Sequence, residues 1–282
     1  STQRDYFSLF AFFNSIDESG LYSHFTNATP TPAMLLWSPH EQAGHAAVVR
    51  RIAATEAAVR RLARGARDGF LTWRGTAAVP RLQPIAALPF DVVEKDATPG
   101  AVGRVSGRLQ DGPVLEPDAG ASGGKALRFS GDNAVTLPDL RRFTRTDPFS
   151  IAVRVKPTER APRAVVLHQS QAWSDAGSRG VELVLEDGRP FVGVIHFWPG
   201  NAIAVRARDP LPIGTWSSLV LTYDGSSRAS GLRLYRDGQA VPVEVVRDRL
   251  VKDITYDASQ GDLQTKPPPL MVGARFRDSG FR

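Results

Sequence analysis

Apolar and polar residues alternate along several short segments of this chain, from residue 126 onward. The clearest example has apolar side chains at every second position, with Ser, Ala and Arg between them: Phe149, Ile151, Val153 and Val155. Successive side chains of a strand point to opposite faces of a sheet. This period of two therefore predicts a strand with one face against a core.

Two Asp-Gly pairs, at 187–188 and 237–238, separate strand-like segments. This dipeptide favours the tight type I′ turn of a two-residue hairpin. The pattern predicts hairpins over residues 181–198 and 231–246. Several short strands joined in this way are typical of an antiparallel β-sandwich.

One helix is predicted upstream of the strands. Ser38 precedes Pro39 and Glu41, which together form a capping box with proline in the first helical turn. An apolar stripe follows at four-three-four-three spacing: Val48, Ile52, Thr55, Val59 and Leu62. The stripe fits a dimer seam or packing against other structure, and its two heptads are short for a dimer. Gly65 and Gly69 are plausible ends of the helix.

The regions around this helix are less regular. Residues 1–37 are rich in aromatic side chains, and the spacing of Tyr6, Phe7, Phe10 and Phe13 fits a short helix. Prolines in residues 70–88 indicate an extended linker. The predicted fold class is mainly β, an antiparallel sandwich preceded by an N-terminal helical segment.

Composition excludes several kinds of chemistry. The 282 residues include no Cys, so disulfides, cysteine nucleophiles and covalently attached c-type haem cannot form within them. No apolar run is long enough for a membrane span, and the first residues do not resemble a signal peptide. The net charge is +6, but arginines alternate with apolar residues along the strands. They fit solvated faces, so we predict no nucleic-acid partner.

Residues 88–282 resemble the laminin-G-like, concanavalin A-like lectin/glucanase sandwich, which is a jelly roll. The resemblance lies in five segments: GKALRFSG from Gly124, FSIAVRVKP from Phe149, GTWSSLVLTYDG from Gly214, LYRDGQ from Leu234 and LMVGA from Leu270. It implies a module that binds carbohydrate or protein.

Residues 5–64 resemble the end of a domain of unknown function found in large planctomycete-type secreted proteins. The shared segments are DYFSLFAFFNSIDESG from Asp5 and NATPTP from Asn27, with GVIHFWPGNAI from Gly193 in the sandwich. The resemblance implies a secreted, periplasmic or envelope parent in which a c-type cytochrome domain precedes this segment. The expected organisation is an upstream tail over 1–70, a linker over 71–87 and the sandwich over 88–282.

The resemblance also implies one more strand after the last residues of this chain. That strand would pair beside the first strand of the sandwich, near Leu88–Val93. We therefore expect the sandwich to lack its last strand and to leave an unpaired edge at Leu88–Val93.

Catalysis is not predicted. Glucanases of this fold carry Glu-x-Asp-x-Glu on one strand, as nucleophile and general acid. The nearest segment here is Glu182 to Glu186, with Val184 at the central position. No metal-spaced histidine cluster, nucleophile elbow or phosphate-binding loop occurs.

Four residues are candidates for sugar binding: Trp173, His196, Trp198 and Asn201. A sugar needs an aromatic platform for its apolar face and planar polar groups for its hydroxyls. The alternative places Trp198 over the core and His196 hydrogen-bonded inside it. Trp216, which begins a strand, is expected in the core.

The sequence offers candidate ligands for one cofactor, a structural Ca²⁺. Its candidate ligands are oxygen donors near strand ends: Asp91, Asp132 and Asn133. No EF-hand loop is present. The prediction is thus a non-catalytic module whose partner is polysaccharide or a neighbouring domain of its parent protein. The alternatives are an intramolecular docking module without a ligand and a glycoside hydrolase.

Overall fold

The computed structural model describes residues 2–13, 36–77, 83–103, 105–117, 124–169, 178–255 and 269–275. The chain divides into two compact units, Ala33–Gln83 and Ser1–Pro32 with Pro84–Arg282. The first unit is helical and the second contains the strands. The helices are α1 (Gln3–Phe13), α2 (Pro39–Gly65) and α3 (Arg67–Thr76).

The predicted capping box begins α2. The Glu41 amide donates to Ser38 Oγ at 3.3 Å, and the Ser38 amide donates to Glu41 Oε2 at 2.8 Å. Helix α2 ends at Gly65, as the sequence suggests, but α3 follows almost at once and continues to Thr76. The first six residues of the expected linker are therefore helical.

The apolar stripe of α2 is exposed. Ile52 is 52% exposed, Val59 59% and Leu62 73%, and no residue of α2 is buried. Within the described ranges, no helix combines the length and the apolar character that crossing a membrane requires.

The described residues of the second unit include fifteen strands besides α1. They are β1 (Ala97–Thr98), β2 (Gly107–Gln110), β3 (Val114–Glu116), β4 (Ala126–Arg128), β5 (Ala134–Leu137), β6 (Phe149–Val155), β7 (Arg163–His168), β8 (Ser178–Glu186), β9 (Arg189–Phe197), β10 (Asn201–Ala207), β11 (Ser217–Tyr223), β12 (Leu232–Arg236), β13 (Gln239–Ala240), β14 (Val243–Arg249) and β15 (Leu270–Val272). A short 3-10 helix spans Ala229–Gly231.

The strands form large antiparallel sheets, which confirms the predicted mainly β sandwich. One sheet has nine strands in the order β1-β2-β5-β15-β7-β8-β9-β10-β14. A second has four in the order β13-β12-β11-β6, and β3 pairs with β4 in a small third sheet. Every named pairing is antiparallel.

The main core brings side chains of the four-stranded sheet and the nine-stranded sheet into one apolar cluster. Its most buried members include Leu183, Val192, Ile203, Leu219 and Leu221. The alternation predicted for β6 is confirmed, because Phe149 is buried, the other apolar positions pack against the core and the intervening side chains are exposed.

Trp216 departs from the prediction. It is half-buried outside the apolar core, with Arg154 and Lys156 above its ring at 5.7 and 5.5 Å from the ring centre. These two cations lie on the outward-facing side of β6 and beyond its end. The cation–π contacts fit this boundary position, although the ring Nε1 is buried without a hydrogen-bond partner among the described residues.

The first predicted hairpin is confirmed. Strands β8 and β9 pair from Ser178–Phe197 to Glu186–Arg189, and the turn has positive φ at Asp187 (49°) and Gly188 (78°). These angles fit the type I′ turn that Asp-Gly favours.

The second hairpin is shorter than predicted. The turn forms at Asp237 (φ 50°) and Gly238 (φ 82°), but β13 contributes only two residues to the pairing with β12. The chain then changes sheets: β14 pairs with β10. Val241 and Val243 pack on the core at this crossing, so burial of apolar side chains accompanies the departure from the hairpin.

Residues 88–93, where an unpaired edge is expected, contain no strand. A single bridge joins the preceding residue, Ala87, to Val102. Leu88 and Phe90 still pack against the main core. This segment is therefore fixed by apolar contacts rather than by a strand ladder.

Gly180 in β8 is required by a close backbone approach. Its φ is 142°, and an added Cβ would lie 1.5 Å from the carbonyl oxygen of Gln169. We expect Gly180→Ala to lower the free energy of unfolding by more than about 3 kcal/mol, since the backbone must shift. Gly238→Ala is the control, because that site has φ 82° and open space; it should cost about 1–2 kcal/mol. Urea unfolding of both variants tests this, and equal losses would contradict it.

Candidate functional site

A shallow groove lies at one end of the sandwich, where β9 ends, β10 begins and the chain leaves β14. Its volume is about 460 Å³. The lining residues are Thr144, Arg145, Thr146, Val251, Lys252 and Asp253. We call this the rim groove, and its two walls are the segments 144–146 and 251–253.

Two buried polar side chains hold the 251–253 wall from below. Asn201 is 3% exposed, and its Oδ1 accepts hydrogen bonds from the amides of Val251 (3.0 Å) and Lys252 (3.2 Å). His196 is 7% exposed, and its Nδ1 lies 2.6 Å from the carbonyl oxygen of Asp253. Both therefore satisfy backbone groups of this loop, as buried polar groups generally must.

Asp253 joins the two walls. Its Oδ1 accepts from the amides of Arg145 and Ile254, both at 2.8 Å, and its Oδ2 accepts from the Thr255 hydroxyl at 2.8 Å. The Tyr223 hydroxyl donates to the Arg145 carbonyl at 2.5 Å. The position of Arg145 is thus fixed at both its amide and its carbonyl.

His196 is uncharged at neutral pH. Burial, followed by the positive charge of Arg179, lowers the pKa of His196 to about 4. The Nδ1 atom faces a carbonyl oxygen, which can only accept, so the ring carries its proton there. The other nitrogen, Nε2, lies 3.5 Å from an Arg179 guanidinium nitrogen and can accept from it.

Of the four sequence-predicted ligand residues, the structure describes three, and two of these lie together. His196 and Asn201 meet beneath the rim groove, where they support its loop. Trp198 is half-buried and packs edge-on against Phe191, with 5.7 Å between ring centres. Trp198 is therefore associated with the cluster of Val184, Phe191 and Ala204, on the sheet face opposite the main core. Trp173 lies outside the described residues.

Sequence reasoning missed the groove-lining cations Arg145 and Lys252. They come from segments that are brought together across the fold, as the Arg145–Asp253 bond shows with a separation of 108 residues. Neither segment has a local motif. The position of Lys252 in a loop, three residues after the end of β14, is the one sequence signal.

A second polar cluster lies on the sheet face that carries Phe191. Glu182 Oε2 is 3.1 Å from His168 Nε2 and 3.2 Å from an Arg163 guanidinium nitrogen. Gly193, opposite Glu182 in the sheet, leaves room for it, since a Cβ there would lie 3.2 Å from Glu182 Cγ. Burial opposes the charge of Glu182, but contact with His168 and the charge of Arg163 outweigh it, so the pKa of Glu182 lies below its ordinary value.

The geometry does not give Glu182 a catalytic partner in Glu186. The two carboxylates are four residues apart on one strand, which places them about 13 Å apart in an extended strand. Glycosidase pairs lie about 5–10 Å apart. Glu186 is instead 2.9 Å from Arg206, which also donates to Glu244 at 2.7 Å.

The three candidate calcium ligands have other partners. Asp91 Oδ1 accepts from the Lys125 amide at 3.0 Å, and Asn133 Oδ1 accepts from the Ser130 amide at 2.8 Å. Asp132 is exposed. In the part of the chain that the structure describes, no three His, Cys, Asp or Glu residues are grouped to hold a metal ion.

The low pKa of His196 predicts a loss of stability in mild acid. Between pH 6.5 and about 4 the unfolded chain takes up a proton at this histidine and the folded chain does not. Stability should therefore fall as the pH falls through this window, by about 3 kcal/mol in all. Urea unfolding at several pH values tests this against His196→Gln, which should remove that part of the pH dependence. Parallel curves for the two proteins would contradict the prediction.

Removal of the Glu182 charge should destabilise the fold, because His168 and Arg163 then lose the carboxylate that they contact. Glu182→Gln is expected to lower the free energy of unfolding by about 3 kcal/mol at pH 7. The contribution of the carboxylate is present above pH 4.5 and is lost as the pH falls through the lower folded-state pKa. The difference between the two proteins should then narrow towards pH 3. Thermal unfolding across this range measures it, and a constant difference would argue against a charged Glu182.

Comparison with known proteins agrees with this architecture. Residues 129–268 match the profile of the Laminin_G_3 family, described as the concanavalin A-like lectin/glucanases superfamily. No curated protein matches the chain. One similar solved structure is described as "Cell entry of botulinum neurotoxin type C is dependent upon interaction with two ganglioside molecules", with 8% identity and a TM-score of 0.38. The match covers 67% of this chain and 42% of that one. Residues 129–268 therefore carry the sequence profile of the concanavalin A-like lectin/glucanases superfamily.

Proposed function

We propose that the sandwich is a non-catalytic module that binds carbohydrate at the rim groove. The observation that carries this proposal is an open groove of about 460 Å³ on a lectin/glucanase-type sandwich, within the usual size range of small-ligand sites. Its walls offer hydroxyl groups and cationic side chains, which suit the hydroxyls and other polar groups of a sugar.

A fixed loop favours binding. Asn201, His196 and Asp253 hold the groove walls through buried hydrogen bonds. A wall that is already ordered loses little conformational entropy when a ligand binds. Because these hydrogen bonds occupy the three side chains, we propose that they support the groove walls and do not contact the ligand directly.

The glycosidase alternative has less support. A hydrolase needs two carboxylates on either side of the scissile bond. Glu182 is buried against His168 and Arg163, and Glu186 is engaged by Arg206. Neither arrangement presents a carboxyl pair to a groove.

The setting of the module is inferred from the resemblance of residues 5–64. It suggests a larger secreted or envelope protein of the planctomycete type, in which a cytochrome domain accompanies the handling of polysaccharide. Calcium at Asp91, Asp132 or Asn133 remains a proposal, which the experiment below includes as a separate arm.

The test is a glycan-array screen of the intact chain with and without Ca²⁺. We expect saturable binding of at least one glycan, weakened by Lys252→Ala and unchanged by the control Lys95→Ala. Lys95 is exposed and lies beside β1, at the opposite edge of the nine-stranded sheet from β14. Circular dichroism confirms folding of each variant.

Other outcomes of the screen are equally informative. Binding that Trp173→Ala or Trp198→Ala abolishes, but Lys252→Ala does not affect, would place the site away from the rim groove. Binding that requires Ca²⁺ would support a metal site. No binding by the folded chain would overturn the proposal and favour a docking module without a glycan ligand.

A further inference from the structure

The rim groove is positively charged. Lys252 is exposed and Arg145 is half-buried, and neither forms an ion pair with a carboxylate of the described residues. The Arg145 guanidinium donates to the neutral Ser227 hydroxyl at 2.8 Å, which orients it without cancelling its charge. A small cavity adjoins this loop, and Arg142, Phe143 and Arg179 are among its described lining residues.

The carboxylates near the groove do not balance these charges. Asp253 is the one acid among the described residues that line the groove, and amide and hydroxyl donors occupy its oxygens. Asp147 accepts from the Thr144 amide and hydroxyl and lies 3.8 Å from Arg141. Among the described residues that line the groove, the two cations Arg145 and Lys252 therefore outnumber the one carboxylate.

The described part of the groove offers no platform for a neutral sugar. No aromatic side chain is among the described residues that line it. Phe143 lines the adjoining cavity, and it is stacked on Phe149 with 4.7 Å between ring centres, so its face is already covered. Without a platform for an apolar sugar face, charge and hydroxyl groups remain as the recognition elements.

We propose that the ligand of the rim groove is an acidic sugar, one that carries a carboxylate or a sulfate. Lys252 and Arg145 bind the anion, since guanidinium and ammonium groups form strong charge-assisted hydrogen bonds with such oxygens. Thr146, which lines the groove beside Arg145, offers a hydroxyl group to the neighbouring sugar hydroxyls. This inference rests on the proposed function and specifies the ligand class.

The experiment compares four polymers on the intact chain by fluorescence anisotropy: polygalacturonate, dextran sulfate, neutral dextran and polyglutamate. We expect the two acidic sugars to bind at least about tenfold more tightly than dextran, a difference of about 1.4 kcal/mol. Added salt should weaken their binding. A preference between carboxylate and sulfate identifies the anion.

Substitutions of Lys252, Arg145 and Lys95 test whether acidic sugars bind at the rim groove. Lys252→Glu should weaken acidic-sugar binding about tenfold, and Arg145→Gln should weaken it in the same direction. Lys95→Glu makes the same change in net charge as Lys252→Glu at the far edge of the sheet, and its binding should match that of the unmodified chain. Equal losses from Lys95→Glu and Lys252→Glu would show general attraction and overturn the site.

The remaining outcomes separate this inference from the proposed function. Equal binding of dextran and the acidic sugars would overturn the inference and leave the carbohydrate-binding function standing. Polyglutamate binding as tight as that of the acidic sugars would identify an anion site that is not specific for sugars, and would overturn the inference. Absence of binding to every glycan by folded protein would overturn both.

Discussion

The central strands of the nine-stranded sheet bury side chains on both of their faces. From Pro190 to His196 in β9, and from Asn201 to Val205 in β10, every residue is buried. A polar group in such a position must find a partner, because an unpaired buried charge is very costly. This constraint explains why Glu182 and His168 lie together and why Gly193 opposite them lacks a side chain. It also restricts accessible chemistry to the ends of the strands, where the chain leaves the sheet.

The same constraint separates polar residues that hold the loop in place from polar residues that a ligand can contact. His196 and Asn201 lie at the strand ends but are still buried, so they bond to backbone and order the adjoining loop. Lys252 and Arg145 lie one layer farther out and retain access to solvent. The low pKa of His196 keeps that residue neutral near pH 7, so the positive charge at the groove comes from Lys252 and Arg145.

Sequence patterns predicted the features that depend on local contacts. The capping box at Ser38, the alternation of β6 and the Asp187-Gly188 turn each involve residues within a few positions of one another, and all formed. The second hairpin shows where local reasoning ends, since its turn formed but β14 left for β10 in the other sheet. The helix at the start of the expected linker was also missed by local sequence reasoning. No residue of α3 is buried, so no apolar core position marked it in the sequence.

The candidate site depended almost entirely on contacts that no local pattern contains. Arg145 and Asp253 lie together because β11, which ends at Tyr223, and β14 both end at the same end of the sandwich. The pairing of strands that are distant in the sequence places them there. Of the two aromatic candidates for sugar binding, Trp198 packs on Phe191, and Trp173 lies outside the described residues. Under the proposed function, recognition rests on the charged and hydroxyl groups of the rim groove. A ligand with a negative charge complements that surface better than a neutral one.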